Sequence, residues 1–419
     1  MNKNLSVREA VYLALRAYAK DEGYLSDLLE PWASTAIDAD RRFARELAYG
    51  VVRQERALDH LLGQIPSKSP FKLKRKERTL MHMALYQYFF MDKVPLYAIG
   101  QETMVLVKRH LNAARHALLN FLLRQIGEST FNLPEGDTAE AYAIRYSYSD
   151  YFVHALLDDY GFDTAEQILE LGNQNFSPSV RVRPHCSIPS FLENEEPIIY
   201  EPFTTYFISN DLKTYELAKN PALYIQNSTP IQLFAYLTRF SSSPKKVLDL
   251  CAAPGGKTLL LCDHYPEAQV WANEPCPKRS IKLEENIRKY DLSVELLQKD
   301  GLNLETEELF DLILIDAPCS NSGVLNKRPE ARWRLEKKAI ENLVETQKKL
   351  IEQSMNKLSP EGQIWYMTCS VLKEENEYLV EEVCADLGLE IIDSSLTILP
   401  NHYGFDGGFA TALKRTSSS

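Results

Sequence analysis

Through most of the first 126 positions apolar residues recur at intervals of three and four, the spacing of helices that each bury one face. The stretch "DRRFARELAYGVVRQERALDHLLGQI" puts Phe43, Leu47, Val51, Leu58 and Leu62 on one side, and "HALLNFLLRQIG" closes the series before Gly127. Residues 1–128 are therefore predicted to form an all-helical domain. The pattern lapses in the polar, Pro- and Gly-bearing "GESTFNLPEGDT" (127–138), which reads as a linker. A helical pattern near residues 150–172 and the strand-like "SVRVRP" (179–184) follow, so residues 129–222 read as a small α+β subdomain.

From about residue 223 the period changes. The short apolar runs "KKVLDL" (245–250), "AQVWA" (268–272), "VELLQ" (294–298), "DLILI" (311–315) and "QIWYMT" (363–368) alternate with helical stretches such as "PKRSIKLEENIRKY" and "AIENLVETQKKLIEQSMNKL" (339–358). That alternation predicts an α/β domain over 223–419, with a parallel sheet covered by helices on both faces. Ligands of such sheets bind beyond the carboxyl ends of the strands.

Four of those ends carry acids. Asp249, Glu274, Asp300 and Asp316 each lie at or just after the end of a predicted strand. The loop "DLCAAPGGKT" (249–258) finishes like a phosphate-binding loop, but Cys251 stands where that motif requires glycine. Four carboxylates around one crevice would also repel a triphosphate. They suit a ligand with ribose hydroxyls, an ammonium group and a cationic sulfonium, and S-adenosyl-L-methionine has all three. Glu274 is expected on the ribose hydroxyls and Asp300 on the adenine amine, with Gly255 and Gly256 allowing the backbone close to the ligand.

Composition narrows the setting. The chain has 419 residues, 45% hydrophobic and 25% charged, which is the make-up of a soluble globular protein of two or three domains. The opening "MNKNLSVREAVYLALRAYAKDEG" mixes charge with apolar residues and resembles neither a signal peptide nor a membrane span, so a cytoplasmic protein without membrane attachment is expected. Seven cysteines are too sparse for a disulfide framework, and with no C-x-x-C pair no metal is expected. The net charge of −11 speaks against a nucleic-acid partner for the chain as a whole. Two local clusters speak for one: "KSPFKLKRKER" (68–78), with Lys68, Lys72, Lys74, Arg75, Lys76 and Arg78, and "NKRPEARWR" (326–334), with Lys327, Arg328, Arg332 and Arg334 around Trp333.

Two cysteines remain conspicuous. Cys319 in "DAPCS" and Cys369 in "MTCS" each follow a predicted strand and each precede a serine. With "LDLCAAPGGKT" and "RPEARWR", the segments "DAPCS" and "MTCSVLKEENE" resemble successive motifs of the RNA cytosine-5 methyltransferases of the Sun/Fmu (RsmB) family. "DRRFARELAYGVVR" and "VPLYAIGQETMVLVKR" are similar to the NusB-like RNA-binding domain that members carry ahead of the catalytic domain. The resemblance implies a Rossmann-like methyltransferase domain at 223–419, a NusB-like domain at 1–128 and an RNA-recognition-like subdomain between them, in which Arg181 and Arg183 would meet RNA. It implies a monomeric enzyme that uses S-adenosyl-L-methionine to methylate a cytosine of small-subunit (16S) ribosomal RNA. Cys369 would be the nucleophile, Cys319 would assist release, Asp316 would hold the cytosine edge, and Lys257 would orient Asp316 or favour the thiolate. Cys251, Ala252, Ala253, Pro254, Gly255, Gly256, Lys257, Glu274, Arg279, Asp300 and Asp316 would form the cofactor site.

The chain departs from the family pattern in three places: Asn321 replaces a usual glycine, Asn326-Lys327 replace a pair of arginines, and "DGGFA" (406–410) stands for a "DGFF"-like signature. Three other readings remain open on the sequence. One is a cytosine-5 methyltransferase acting on another RNA such as tRNA. A second is a DNA enzyme in which Cys319 is the nucleophile, and a third is a non-catalytic rRNA-binding assembly factor.

Overall fold

The computed structural model describes residues 5–66, 71–208, 217–241 and 243–416. Chain contacts divide it into two compact units, Met1–Leu169 with Arg328–Trp333, and Glu170–Lys327 with Arg334–Ser419.

The first unit is built of helices: α1 (Val7–Tyr18), α2 (Leu25–Ala33), α3 (Asp38–Arg53), α4 (Glu55–Gly63), α5 (Arg75–Phe90), α6 (Leu96–His110), α7 (Ala113–Glu128), α8 (Ala139–Arg145) and a helical stretch α9 (Asp150–Leu171) broken at Gly161. The stripe expected from the sequence faces inward, with Leu47, Val51, Leu58 and Leu62 buried in one core and Phe43 packed against it. Ser6 caps α1 by accepting from the Glu9 backbone N–H, and Glu77 reaches back to the Lys74 backbone N–H at the start of α5.

The second unit holds two sheets. β1 (Ser179–Val182), β2 (Pro197–Tyr200), β3 (Phe203–Phe207) and β4 (Leu223–Ile225) form an antiparallel sheet in the order β2-β3-β1-β4. The larger sheet comprises β5 (Lys246–Asp249), β6 (Gln269–Asn273), β7 (Val294–Leu297), β8 (Phe310–Asp316), β9 (Leu358–Thr368), β10 (Leu389–Ile391), β11 (Leu396–Ile398) and β12 (Gly408–Arg415). Its order is β10-β12-β9-β8-β5-β6-β7, with β11 pairing β12. Strands β5 to β9 are parallel, as expected, and β10, β11 and β12 run antiparallel. Those last strands escaped the sequence reading because two are only three residues long and β12 is buried on both faces, leaving no alternation to read.

Among the described residues the helices around this sheet are α10 (Ser228–Leu237), α11 (Gly256–His264), α12 (Pro277–Lys289), α13 (Lys337–Met355) and α14 (Glu377–Leu387). Along β8 the side chains alternate. Leu312 and Leu314 pack with Leu260 and Leu261 of α11 and Phe234 of α10, whereas Ile313 and Ile315 pack with Leu350 of α13 and Val380 of α14. Burial on both faces is why "DLILI" is continuously apolar. From β5 the chain builds outward to β6 and β7, then returns to add β8 and β9 on the other side. The direction reverses between β5 and β8, the position at which sheets of this kind bind ligands, beyond the strands' carboxyl ends.

Candidate active site

Asp249 and Asp316 are the last residues of β5 and β8, the two strands that flank the reversal. Asp249 is fully buried, Thr258 Oγ1 donates to its Oδ2 at 2.7 Å, and burial pushes its carboxyl up to about 7 against the help of that hydrogen bond. Lys257, in the first turn of α11, donates from Nζ to Asp316 Oδ2 at 2.5 Å. Burial works to neutralise this lysine. The charge of Asp316 and its hydrogen bond outweigh burial, with Cys369 and Asp249 adding to them, so the Lys257 pKa is raised and the ammonium persists.

The loops after β8 and β9 bring the two cysteines together. Cys319 Sγ lies 3.2 Å from Cys369 Sγ, and both are free thiols. The Cys319 thiol is raised well above its ordinary range, first by its hydrogen bond to Cys369, then by burial and by the charges of Cys369 and Glu375. Cys319 therefore keeps its proton in the ordinary pH range.

Asn321 sits in the left-handed backbone region at φ 60°, which favours glycine and tolerates asparagine. The departure from the family's glycine thus preserves the turn. Its amide also donates to the Cys319 carbonyl at 3.0 Å, and Cys369 Sγ lies 3.5 Å from Asn321 Oδ1. The other departures meet each other: Lys327 Nζ donates to Asp406 Oδ2 at 2.6 Å, and Gly407 N donates to the Gly323 carbonyl at 2.8 Å. A Cβ on Gly323 would come within 2.5 Å of the Gly407 carbonyl oxygen, so the approach of these loops requires glycine there.

The expected cofactor residues divide in their surroundings. Glu274 follows β6 and is buried; its Oε1 accepts from the Cys276 backbone at 2.9 Å, while Oε2 accepts no hydrogen bond and faces Arg279 at 3.3 Å. Arg279 also donates to the Ala253 carbonyl at 2.9 Å. Asp300, after β7, is exposed and accepts from the Leu302 backbone at 3.0 Å. Gly255 turns the chain at φ 107°, and a Cβ on Gly256 would stand 3.0 Å from the Tyr224 ring. Pro254 is exposed and its carbonyl accepts from Asn286 at 2.7 Å. Ala252 and Ala253 are buried against Ala272 and Leu283, and burial raises the Cys251 thiol strongly enough to keep it neutral.

Residues 241–414 match the model of the family described as 16S rRNA methyltransferase RsmB/F, and residues 5–128 match that of the NusB family. The carboxyl-terminal part of the chain is thus similar to the RsmB/F methyltransferases, and its amino-terminal part to the NusB family. The chain is 28% identical over 391 residues to the ribosomal RNA small subunit methyltransferase B of Klebsiella pneumoniae subsp. pneumoniae, covering 90% of this chain and 89% of that protein. Its fold is similar to a solved structure named PH0851 (TM-score 0.78, 20% identity, 98% of each chain) and to a methyltransferase homolog from Pyrococcus horikoshii (TM-score 0.56, 21% identity, 67% of this chain and 100% of that one). The two matches place a helical NusB-type domain ahead of a Rossmann-like methyltransferase fold.

Several expected RNA contacts are occupied otherwise. Arg332 is fully buried in the first unit, donating to the carbonyls of Arg53 (2.9 Å) and Ser147 (3.2 Å) with its guanidinium 4.3 Å from the Tyr148 ring centre. Trp333 Nε1 donates to the Val52 carbonyl at 2.7 Å. In the second unit Arg181 is fully buried and donates to Asp263 at 3.1 Å, and Arg183 donates to the same carboxylate at 2.8 Å. In the basic run Arg78 is paired with Asp59 and Glu55, whereas Lys72, Lys74, Arg75 and Lys76 are exposed. Lys68 lies outside the described residues. Arg328 and Arg334 are exposed. Among the described residues no cluster of His, Cys, Asp and Glu is placed to hold a metal, and no helix is long and apolar enough to cross a membrane.

Proposed function

We propose that the protein methylates carbon 5 of a cytosine in small-subunit (16S) ribosomal RNA through a covalent adduct on Cys369. The observation that carries this reading is the pair of sulfurs 3.2 Å apart beside the Lys257 to Asp316 ion pair. The methyl donor is S-adenosyl-L-methionine, which supplies an electrophilic methyl group when bound. The residues present fit it: the buried Glu274 has an oxygen without a hydrogen bond, Asp300 stands exposed at the next strand end, and the Gly255-Gly256 turn is narrow. Glu274 would take the ribose hydroxyls once Arg279 swings aside, and Asp300 the adenine amine.

Carbon 5 of cytosine is a weak nucleophile. Addition of the Cys369 thiolate to carbon 6 makes the ring an enamine, and carbon 5 then takes the methyl group. Asp316, held by Lys257, accepts a hydrogen bond from the exocyclic amine of the base, while a proton taken up from solvent at ring nitrogen 3 neutralises the charge that the addition develops and leaves again with the product. Bonding of Cys369 to carbon removes the negative neighbour that raises Cys319, so Cys319 can lose its proton to solvent and, as thiolate, take the one on carbon 5. The carbon 6 to sulfur bond then breaks and returns the Cys369 thiolate. The exposed Lys72, Lys74, Arg75 and Lys76 are suited to hold RNA phosphates. Bisulfite sequencing of rRNA with and without the gene tests substrate and position together. A single protected small-subunit cytosine that disappears with the gene is expected; unchanged protection throughout 16S rRNA would refute the proposed substrate.

A further inference from the structure

Behind the two thiols lies a polar cluster that the reaction above does not use. Its centre is Glu375, fully buried in the short turn after β9. Glu375 Oε1 accepts from the Ser320 backbone N–H (2.8 Å) and Gln347 Nε2 (3.0 Å), and Oε2 accepts from the hydroxyls of Ser320 and Ser370 (2.5 Å each). Ser320 follows Cys319 and Ser370 follows Cys369 in the chain. One carboxylate therefore grips the neighbour of each cysteine. Gln347 also donates to the Pro318 carbonyl at 2.9 Å, tying the same centre to the residue before Cys319. Asn376 holds the other loop, donating to the Ser370 carbonyl (3.0 Å) and accepting from Thr368 Oγ1 (2.6 Å).

Two neutral serines need no buried anion to satisfy them. Burying a carboxylate without a cation costs several kcal/mol, and among the described residues none pairs with Glu375. The charges around the thiols are also unequal. Glu375 acts on Cys319, and the Lys257 ammonium interacts with Cys369; burial raises the Glu375 carboxyl, and the hydrogen bonds from Ser320, Ser370 and Gln347 work to keep it charged. Tyr366 on β9 also faces the cluster, its hydroxyl donating to the Glu375 carbonyl at 2.8 Å, and Asp316 at the end of β8 is paired with Lys257.

We propose that Glu375 is the positioning residue of the thiol pair: by binding the serine beside each cysteine it sets the sulfurs in contact, and its charge keeps their shared proton on Cys319, leaving Cys369 as nucleophile. The proposal rests on the assignment of Cys369 made above. It explains why "CS" occurs at both strand ends and why "EEN" follows the second.

The test uses the full-length protein without RNA or methyl donor. Each cysteine's rate of alkylation by iodoacetamide is followed against pH by mass spectrometry of the labelled peptides. In the wild type Cys369 reacts well ahead of Cys319. Glu375→Gln keeps size and removes charge, and should narrow that preference about tenfold, equivalent to about 1.4 kcal/mol. Its kcat should fall with KM for RNA unchanged, and Glu375→Asp should restore the labelling order. A folded Glu375→Gln protein with wild-type labelling order and kcat overturns the proposal. Should that variant not fold, Ser370→Ala, which keeps the charge and cuts one grip, decides: it should retain the labelling order and lower kcat, and unchanged kcat overturns the proposal. The Cys369 assignment fails separately, if Cys369→Ala still methylates RNA.

Discussion

At the scale of single residues, burial decides more than sequence motif does. Asp249 ends β5 with no access to water, and its carboxyl is pushed from 3.8 up to about 7 by that burial. A raised carboxyl pKa means that the folded state holds a proton the unfolded state has lost. Asp249 thus contributes stability at low pH that disappears as pH rises from 3.8 to about 7. Asp249→Asn, which can still accept from Thr258, should gain on the wild type over that range, by up to about 4 kcal/mol at the top. Thermal melts of both proteins without ligand check this, and a difference that is flat with pH would remove the explanation. Glu274→Ala and Asp300→Ala should each weaken S-adenosyl-L-methionine binding by about 1–3 kcal/mol in calorimetry, the effect of a lost hydrogen bond to a charged group. The paired cysteines, Asp316 and Lys257 were legible because each lies in a motif at a strand end. Glu375 was not, because a glutamate in "KEENE" looks like surface charge until the fold closes over it.

At the scale of elements, charge clusters read from sequence divide once partners are known. "RPEARWR" places three arginines and a tryptophan in seven positions, which suggests a phosphate-binding loop. Instead Arg332 and Trp333 supply donors to carbonyls of the first unit, so the segment serves as a structural anchor there. Arg332→Ala would leave these buried carbonyls unpaired and open a void, and should lower stability by about 2–5 kcal/mol in denaturant titrations. Arg181 and Arg183 are a second case, since an alternating strand pattern does not reveal that Asp263, more than seventy residues on, will meet them. The start of α5 keeps its exposed charge. Replacing Lys72, Lys74, Arg75 and Lys76 by alanine should weaken RNA binding and flatten its dependence on log salt by up to about 3, at ~0.7 per phosphate contact. Affinity for the methyl donor should not change. An unaltered salt slope would mean that this face does not hold RNA.

At the scale of the whole molecule, the helical region and the parallel strands were legible because long amphipathic helices and buried apolar strands have distinct periods. The antiparallel strands β10 to β12 and the small sheet's order were not, because strands of three or four residues carry too few positions to show one. The strand ends converge at the reversal between β5 and β8, with β9 bringing the second cysteine beside the first. In the proposed reaction Cys369 adds first and Cys319 acts afterwards. Incubation of each variant with rRNA and S-adenosyl-L-methionine, followed by denaturing gel electrophoresis, tests that order directly. Cys319→Ala should accumulate a protein–RNA adduct that survives denaturation, because addition proceeds and release stalls, while Cys369→Ala and the double variant should show neither adduct nor methylation. An active, adduct-free Cys369→Ala protein would contradict the account.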